Sequence, residues 1–291
     1  MSSESVIDAP ATEIRASRRR FRRWGILRST TATVGLAIIL IWVVLAVLAP
    51  VISPYPPNEQ DYLAMADPTP SWGHWLGTDN LGRDILSRLL WGARTVLTVA
   101  PLSVTVAMIV GITMGLLAGY CGPIVDAVIS RISDIVLSFP IIVLYVILIA
   151  NLGPSILNII VATTVASAPG IGRIVRGLVL ELRTQEYVAA AKLRGESALY
   201  IMLVELLPNC RGPLIVDAAL RIGYTTITIG LLGFIGLGLP PPNPDWGGMA
   251  KDATAMISVW PHMAMFPCLA IVSLVLGFNL LADGLKDLAD R

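Results

Sequence analysis

The chain's 291 residues are 55% hydrophobic and only 14% charged, with a mean hydropathy of +0.74, a balance that excludes a soluble globular domain and defines an integral membrane protein. The formal net charge of +1 hides an uneven distribution of basic residues. Three cysteines, Cys121, Cys210 and Cys268, are odd in number and widely spaced, so they read as small apolar residues rather than a disulfide framework or metal ligands.

In chain order, residues 1–30 form a polar tail with Arg15, Arg18, Arg19, Arg20, Arg22, Arg23 and Arg28. A basic run ahead of an apolar segment also opens a signal peptide, but the segment here is too long for one and lacks a convincing small-residue cleavage site. The tail reads as the cytoplasmic flank of a retained anchor. Use of these arginines to bind nucleic acid does not fit a membrane chain. Charge-free runs mark the spans, because a bare charge at the bilayer centre costs several kcal/mol and about 20 apolar residues cross it. The first span fills 31–53, from Thr31 to Ile52, and an outer loop follows over 54–94. A core over 95–284 holds the other spans. Thr95–Val125 contains the second, and Ile135–Gly172 has room for two, broken at Asn151, Gly153 and Pro154. Ile222–Pro244 contains most of the fifth and Ala253–Ala282 the sixth, before a short tail over 285–291. The expected fold is all-α with six transmembrane helices.

The outer loop leaves the membrane through Pro54, Pro56 and Pro57, a stiff extended exit. Within His74–Arg94, Ile85, Leu86, Leu89, Leu90 and Ala93 share one helical face and Arg83, Asp84, Ser87 and Arg88 the other. That pattern predicts a helix lying in the outer interface. His74, Asp79 and Asp84 fit turn and cap positions better than any standard metal spacing.

Between the fourth and fifth spans, Glu186–Asn209 is the one long polar-flanked insert. Glu186 opens and Lys192 and Arg194 close a short helix, as the helix dipole favours. Gly195 ends it, and a second helix runs to Leu207 with a stripe of Leu199, Met202, Leu203 and Leu206, closed by Pro208. Ala189, Ala190 and Ala191 leave a knuckle that another protein could approach closely.

Ionisable groups avoid the expected span centres. Asp126, Arg131 and Asp134 fall at the start of the third span, and Asp217 and Arg221, four apart, near that of the fifth. Both sets read as ends and anchors, with contact of Asp217 or Arg221 with a translocation path as the alternative. Glycines at 111, 115 and 119, and at 230, 233, 236 and 238, predict close helix packing. The N-terminal tail and the Glu186 insert are the basic segments on one side of the six-span topology. Both termini are therefore expected in the cytoplasm.

Three stretches carry a resemblance. The insert resembles the EAA loop of ABC-importer permeases (E-A-A, three residues, G, nine residues, I, x, L-P), laid on Ala189, Ala190, Ala191, Gly195, Glu205, Leu207 and Pro208. Ala189 replaces the loop's glutamate and Glu205 its isoleucine. The run Gly77, Thr78, Asp79, Gly82, Arg83, Asp84, Ser87 and Arg88 resembles the signature of the C-type permease of dipeptide, oligopeptide and nickel importers. The segments Gly236–Met249 and Gly277–Arg291 match that family too. The resemblance implies a type I ABC importer permease fold with a cytoplasmic coupling helix, in a bacterial plasma membrane. It assigns Glu186, Tyr187, Ala189, Ala190, Ala191, Arg194, Gly195, Glu205 and Pro208 to coupling with ATPase subunits.

It also implies partners: a B-type permease completing a heterodimer, two cytoplasmic ATPase subunits and an extracytoplasmic substrate-binding protein. The chain has no GxxxxGK[ST] loop, so ATP and magnesium are expected on the ATPase subunits, and no cofactor on this chain. Peptides are the implied cargo, with nickel chelates or haem as alternatives. A secondary transporter would need an ion-coupling site or inverted repeat, and an enzyme a convergent catalytic set; the sequence offers neither.

Overall fold

The computed structural model describes residues 29–289, so the arginine-rich tail over 1–28 lies outside the described residues. The fold is helical throughout: α1 Thr30–Ile52, α2 Ile85–Tyr120, α3 Pro123–Leu137, α4 Ile141–Leu152, α5 Ile156–Leu182, α6 Glu186–Leu193, α7 Ala198–Tyr200, α8 Leu207–Phe234, α9 Trp246–Asp252 and α10 His262–Ala289. A π-helical turn, Ile201–Leu206, joins α7 to α8, so one helix runs unbroken from Ala198 to Phe234. Four further helices, α1, α2, α5 and α10, are long and apolar enough to cross a membrane.

The remaining crossing is not a straight helix. Charge-free residues from Ile135 onward predicted an ordinary third span, yet α3 and α4 meet at an angle of 88°. Pro140 explains the break: it has no N–H for the helical ladder, and it biases Phe139 away from helical angles. The pair Arg176–Asp126 and the pair Arg173–Asp134, the latter 2.5 Å apart, fasten α3 to α5.

The expected fifth and sixth spans also shift. The helix thought to close at Pro208 continues through it, because Pro208 sits in the first turn of α8, beside a wide π turn that absorbs the missing donor. The fifth crossing accordingly ends at Phe234 rather than near Pro244, and α10 starts at His262 rather than at 253. Residues 253–256 form a 3-10 turn after α9.

Helix α2 is the hub, packed on α5 above all. Gly111, Gly115 and Gly119 stack on Ile171, Val175 and Val179, and a methyl group at any of the three would collide with those side chains. The predicted small-residue packing is thus present as one seam, where backbones approach closely and dispersion contacts accumulate. At the other flank α1 lies on α10, with Gly35 against the backbone of Gly277 and Leu281.

Candidate functional site

Three polar constructions interrupt the apolar bundle. At one end sits the hairpin of α6 and α7. Glu186 occupies the first turn of α6 and Lys192 the last, and Lys192 Nζ lies 5.5 Å from the centre of the Tyr120 ring. Gly195 has φ +77°, a left-handed angle that reverses the chain, and Ser197 caps the next helix by accepting from Tyr200 N at 3.2 Å. Arg194 bridges the two arms, 3.3 Å from Glu205 and 3.5 Å from Glu196.

The hairpin's inner face joins the core: Val188, Ala191, Ile201, Met202, Leu206 and Cys210 pack with Ile171, Val175 and Val179. Tyr187 packs at the edge of the same cluster, and its hydroxyl is buried without a hydrogen-bond partner. Of the predicted stripe only Met202 and Leu206 are buried, whereas Leu199 and Leu203 are exposed. The π turn adds residues per turn and rotates the buried face toward Ile201, which a period of 3.6 does not anticipate. Outward face Ala189, Ala190, Glu186 and, unforeseen from sequence, Leu193 at 90% exposure. A single leucine between Lys192 and Arg194 carried no periodic signal. Pro208 is exposed beside an apolar groove of about 500 Å³ between α2 and α8, with Arg211 on its rim.

At the opposite end, the stretch Gly77–Arg88 is a buried polar knot, not the expected interfacial helix. Ile85 opens α2, which continues to Tyr120 without interruption. Arg83, Asp84, Ser87 and Arg88 are buried because each meets a partner from elsewhere. Asp84 caps α2, accepting from Ser87 N at 2.7 Å and facing His74 Nδ1 at 3.0 Å. Asp79 accepts from Leu81 N and Arg83 N and pairs with Arg83 Nε at 2.7 Å. Thr78 and Asp84 form an antiparallel bridge around Gly82, whose φ is +72°. Arg88 donates to the Pro57 carbonyl at 3.0 Å. Ser87 accepts from Tyr55 N at 3.2 Å.

Distant segments enter the same knot. His262 Nε2 lies 3.0 Å from the Pro68 carbonyl, Asp252 lies 3.7 Å from Arg83, and Trp246 donates to the Leu89 carbonyl at 3.0 Å. The two histidines, His74 and His262, therefore both tie down the loop over 53–84. His74, Asp79 and Asp84 act as cap and turn groups, as their spacing suggested.

Asp245, the cap of α9, is buried beneath this knot and accepts from Gly248 N at 3.0 Å. Burial pushes its carboxyl up to about 6, against the lowering effect of the Gly248 and Gly247 amides and of Arg88. The folded protein then holds a proton that the unfolded chain releases near the ordinary value of 3.8, so stability falls as pH rises from about 4 through 6. We expect Asp245→Asn to flatten that fall, by about 1.4 kcal/mol between pH 5 and 8. Melting temperatures of both proteins across that range check it; parallel curves would refute it.

The third construction lies within the bundle. Arg221 Nε donates to Asp217 Oδ2 at 2.6 Å, one helical turn away on α8. The Arg221 guanidinium reaches the α5 backbone at Gly170, where an added methyl would touch it. Beside them the Tyr145 hydroxyl of α4 faces Ser167 and Thr228. The pair, expected near the start of the fifth span, lies 13 to 17 residues before Phe234 and about midway along the longer helix from Ala198 to Phe234.

These features define a multi-pass helical membrane protein. Residues 111–291 match the family model of the binding-protein-dependent transport system inner membrane component, and residues 15–70 that of the N-terminal TM domain of oligopeptide transport permease C. The chain belongs to the family of binding-protein-dependent transport system inner membrane components, and its fold is that of a type I ABC importer permease. It is 41% identical over 268 residues to the dipeptide transport system permease protein DppC of Alkalihalophilus pseudofirmus, covering 90% of this chain and 86% of that one. It is 39% identical over 278 residues to the glutathione transport system permease protein GsiD of Pectobacterium atrosepticum, covering 95% and 92%. Among solved structures, the MetNI methionine ABC transporter in inward-facing conformations matches with a TM-score of 0.57 at 21% identity, over 69% of this chain and 96% of that one. That likeness is one of fold.

Proposed function

We propose that the chain is the C-type permease subunit of a peptide importer, contributing half of a translocation pathway that separate ATPase subunits drive. One observation carries the reading: the hairpin is fused to the core by a buried face yet presents Ala189, Ala190 and Leu193 outward, and its second arm continues without a break into α8. The patch sits on α6, which the shared buried face and the Arg194–Glu205 bridge clamp to that continuous helix, so a push on it passes on without a flexible joint. Small side chains let a partner's backbone approach closely, and Leu193 offers an apolar anchor of the kind buried at interface centres. Glu186, Arg194 and Glu205 form the charged rim around it.

The excess of lysine and arginine around the hairpin supports a cytoplasmic placement, with both termini on that side and the loop over 53–84 facing a substrate-binding protein. A B-type permease would complete the pathway. Relatives named for dipeptide and glutathione transport support short peptides as the cargo. The test is to express the chain with its partner permease, ATPase subunits and binding protein, purify the assembly and reconstitute it in liposomes. We expect the ATPase subunits to be retained and labelled dipeptide to enter only with ATP and binding protein. Uptake without ATPase would favour a secondary transporter. Uptake of a nickel chelate or haem but no peptide would reassign the cargo.

A further inference from the structure

An ion pair inside a membrane-spanning helix needs an explanation. From Phe234, Arg221 lies 13 residues inward, or about 20 Å at the helical rise. From the matching end of α5 at Ile156, Gly170 lies 14 residues inward, about 21 Å. The two helices thus independently place the Asp217–Arg221 pair at one depth, inside an apolar layer of about 30 Å. The pair is not sealed in the fold: the side chains of Arg221 and Asp217 remain 21% and 18% exposed. Further along the same face of α8 come Tyr224, 63% exposed, and Thr228, with Ser167 across from them on α5. Lipid does not tolerate a partly open charged pair at that depth, so this face is turned to water or to another polypeptide.

We infer that this face lines the translocation pathway and that Asp217 and Arg221 receive the two charged ends of a passing peptide, its ammonium on Asp217 and its carboxylate on Arg221. The inference rests on the peptide reading above and adds a site to it. The chemistry suits passage rather than storage. With the pathway empty, each charge neutralises the other, so no uncompensated ion stands in the membrane. A zwitterion exchanges partners with the pair, each end of the ligand replacing one member, and charge stays balanced throughout. Because the internal pair must open first, binding is weak enough for the ligand to leave. Gly170 leaves the guanidinium room to swing, since only Arg221 itself occupies the space beside it.

The experiment uses the complete assembly in liposomes, with Thr228→Cys and Tyr224→Cys introduced singly on a background in which Cys121, Cys210 and Cys268 are serine. A membrane-impermeant anionic methanethiosulfonate is applied with and without nucleotide trapping, and Ile215→Cys, on the apolar groove, is the comparison. We expect both test cysteines to react in at least one state, Ile215→Cys to react at least tenfold more slowly, and millimolar dipeptide to protect Thr228→Cys. Adding Arg221→Gln should abolish that protection, and in the parent chain it should lower dipeptide uptake about tenfold. Arg221→Lys should restore part of both.

Cysteines unreactive in every state would place the face against lipid or a partner subunit and overturn the assignment. Protection or uptake unchanged by Arg221→Gln would overturn the role of the pair. If the unmodified assembly imports no peptide, the peptide reading fails, while the labelling pattern still decides whether this face is wet.

Discussion

Replacing Trp246 with alanine should lower the melting temperature of the purified protein by about 10 °C, the largest stability loss expected from any single truncation here. Trp246 is fully buried at the start of α9. Its ring meets Trp42 of α1 edge-on, with centroids 5.0 Å apart, and its indole N–H donates to the Leu89 carbonyl of α2. Gly92 is shaped around it, because a methyl there would lie 2.6 Å from the ring. Truncation leaves a cavity where α1, α2 and α9 meet, a loss of roughly 3–5 kcal/mol. Trp246→Phe keeps most of the volume and forfeits the hydrogen bond, for about 1 kcal/mol. Trp72→Ala is the control, since Trp72 is 99% exposed and should have no effect. Unfolding followed by fluorescence-detected size-exclusion chromatography reads all three. A Trp246→Ala protein melting within 2 °C of the parent would contradict this packing.

Gly195→Val should reduce ATP-driven uptake at least tenfold while leaving the amount of folded chain in the membrane nearly unchanged. Gly195 has φ +77°, and a methyl built there meets nothing within 4 Å. Space is free, so the penalty is purely one of backbone angle. An ordinary L-residue loses roughly 1–2 kcal/mol in this conformation, and a β-branched one more. Relief comes from reopening the turn, which swings α6 away from α7 and misplaces Ala190 and Leu193. Asparagine tolerates left-handed angles, so Gly195→Asn should keep at least half the uptake. Uptake and co-purification of the ATPase subunits, measured together, decide the matter. Equal activity of the valine and asparagine proteins would show that the angle at 195 does not set the hairpin's shape.

Much of the architecture was legible because the bilayer leaves so few options. Runs without charge located five of the crossings, although the start of α2, the end of α5, both ends of α8 and the start of α10 lie about ten residues or more from where the charges placed them, and Gly195 between two charged arms located the hairpin. What escaped depends on contacts far apart in sequence. Arg83, Asp84, Ser87 and Arg88 look like a solvated helix face, since nothing local reveals that Asp252, Tyr55 and the Pro57 carbonyl will meet them. The α3–α4 elbow hides inside an unbroken apolar run, with Pro140 its sole clue. The π turn changes which residues are buried without changing composition at all. In the candidate coupling surface the alanines were legible as a knuckle, but Leu193 was not, because an isolated exposed leucine has no period.

The polar knot has a mechanical corollary. It clips the ends of α2, α9 and α10 that lie away from the hairpin to the loop after α1, while Asp245 and Gly247 press against Gly233 and Gly230 near the same end of α8. The rod from Ala198 to Phe234, roughly 55 Å long, is therefore pinned by polar bonds near Phe234 and seated by apolar contact alone at Ile201, Met202 and Leu206. Pivoting about the Phe234 end by roughly 10° would carry the other tip about 10 Å, so displacement is greatest at the hairpin and would take the α5 residues packed on it along.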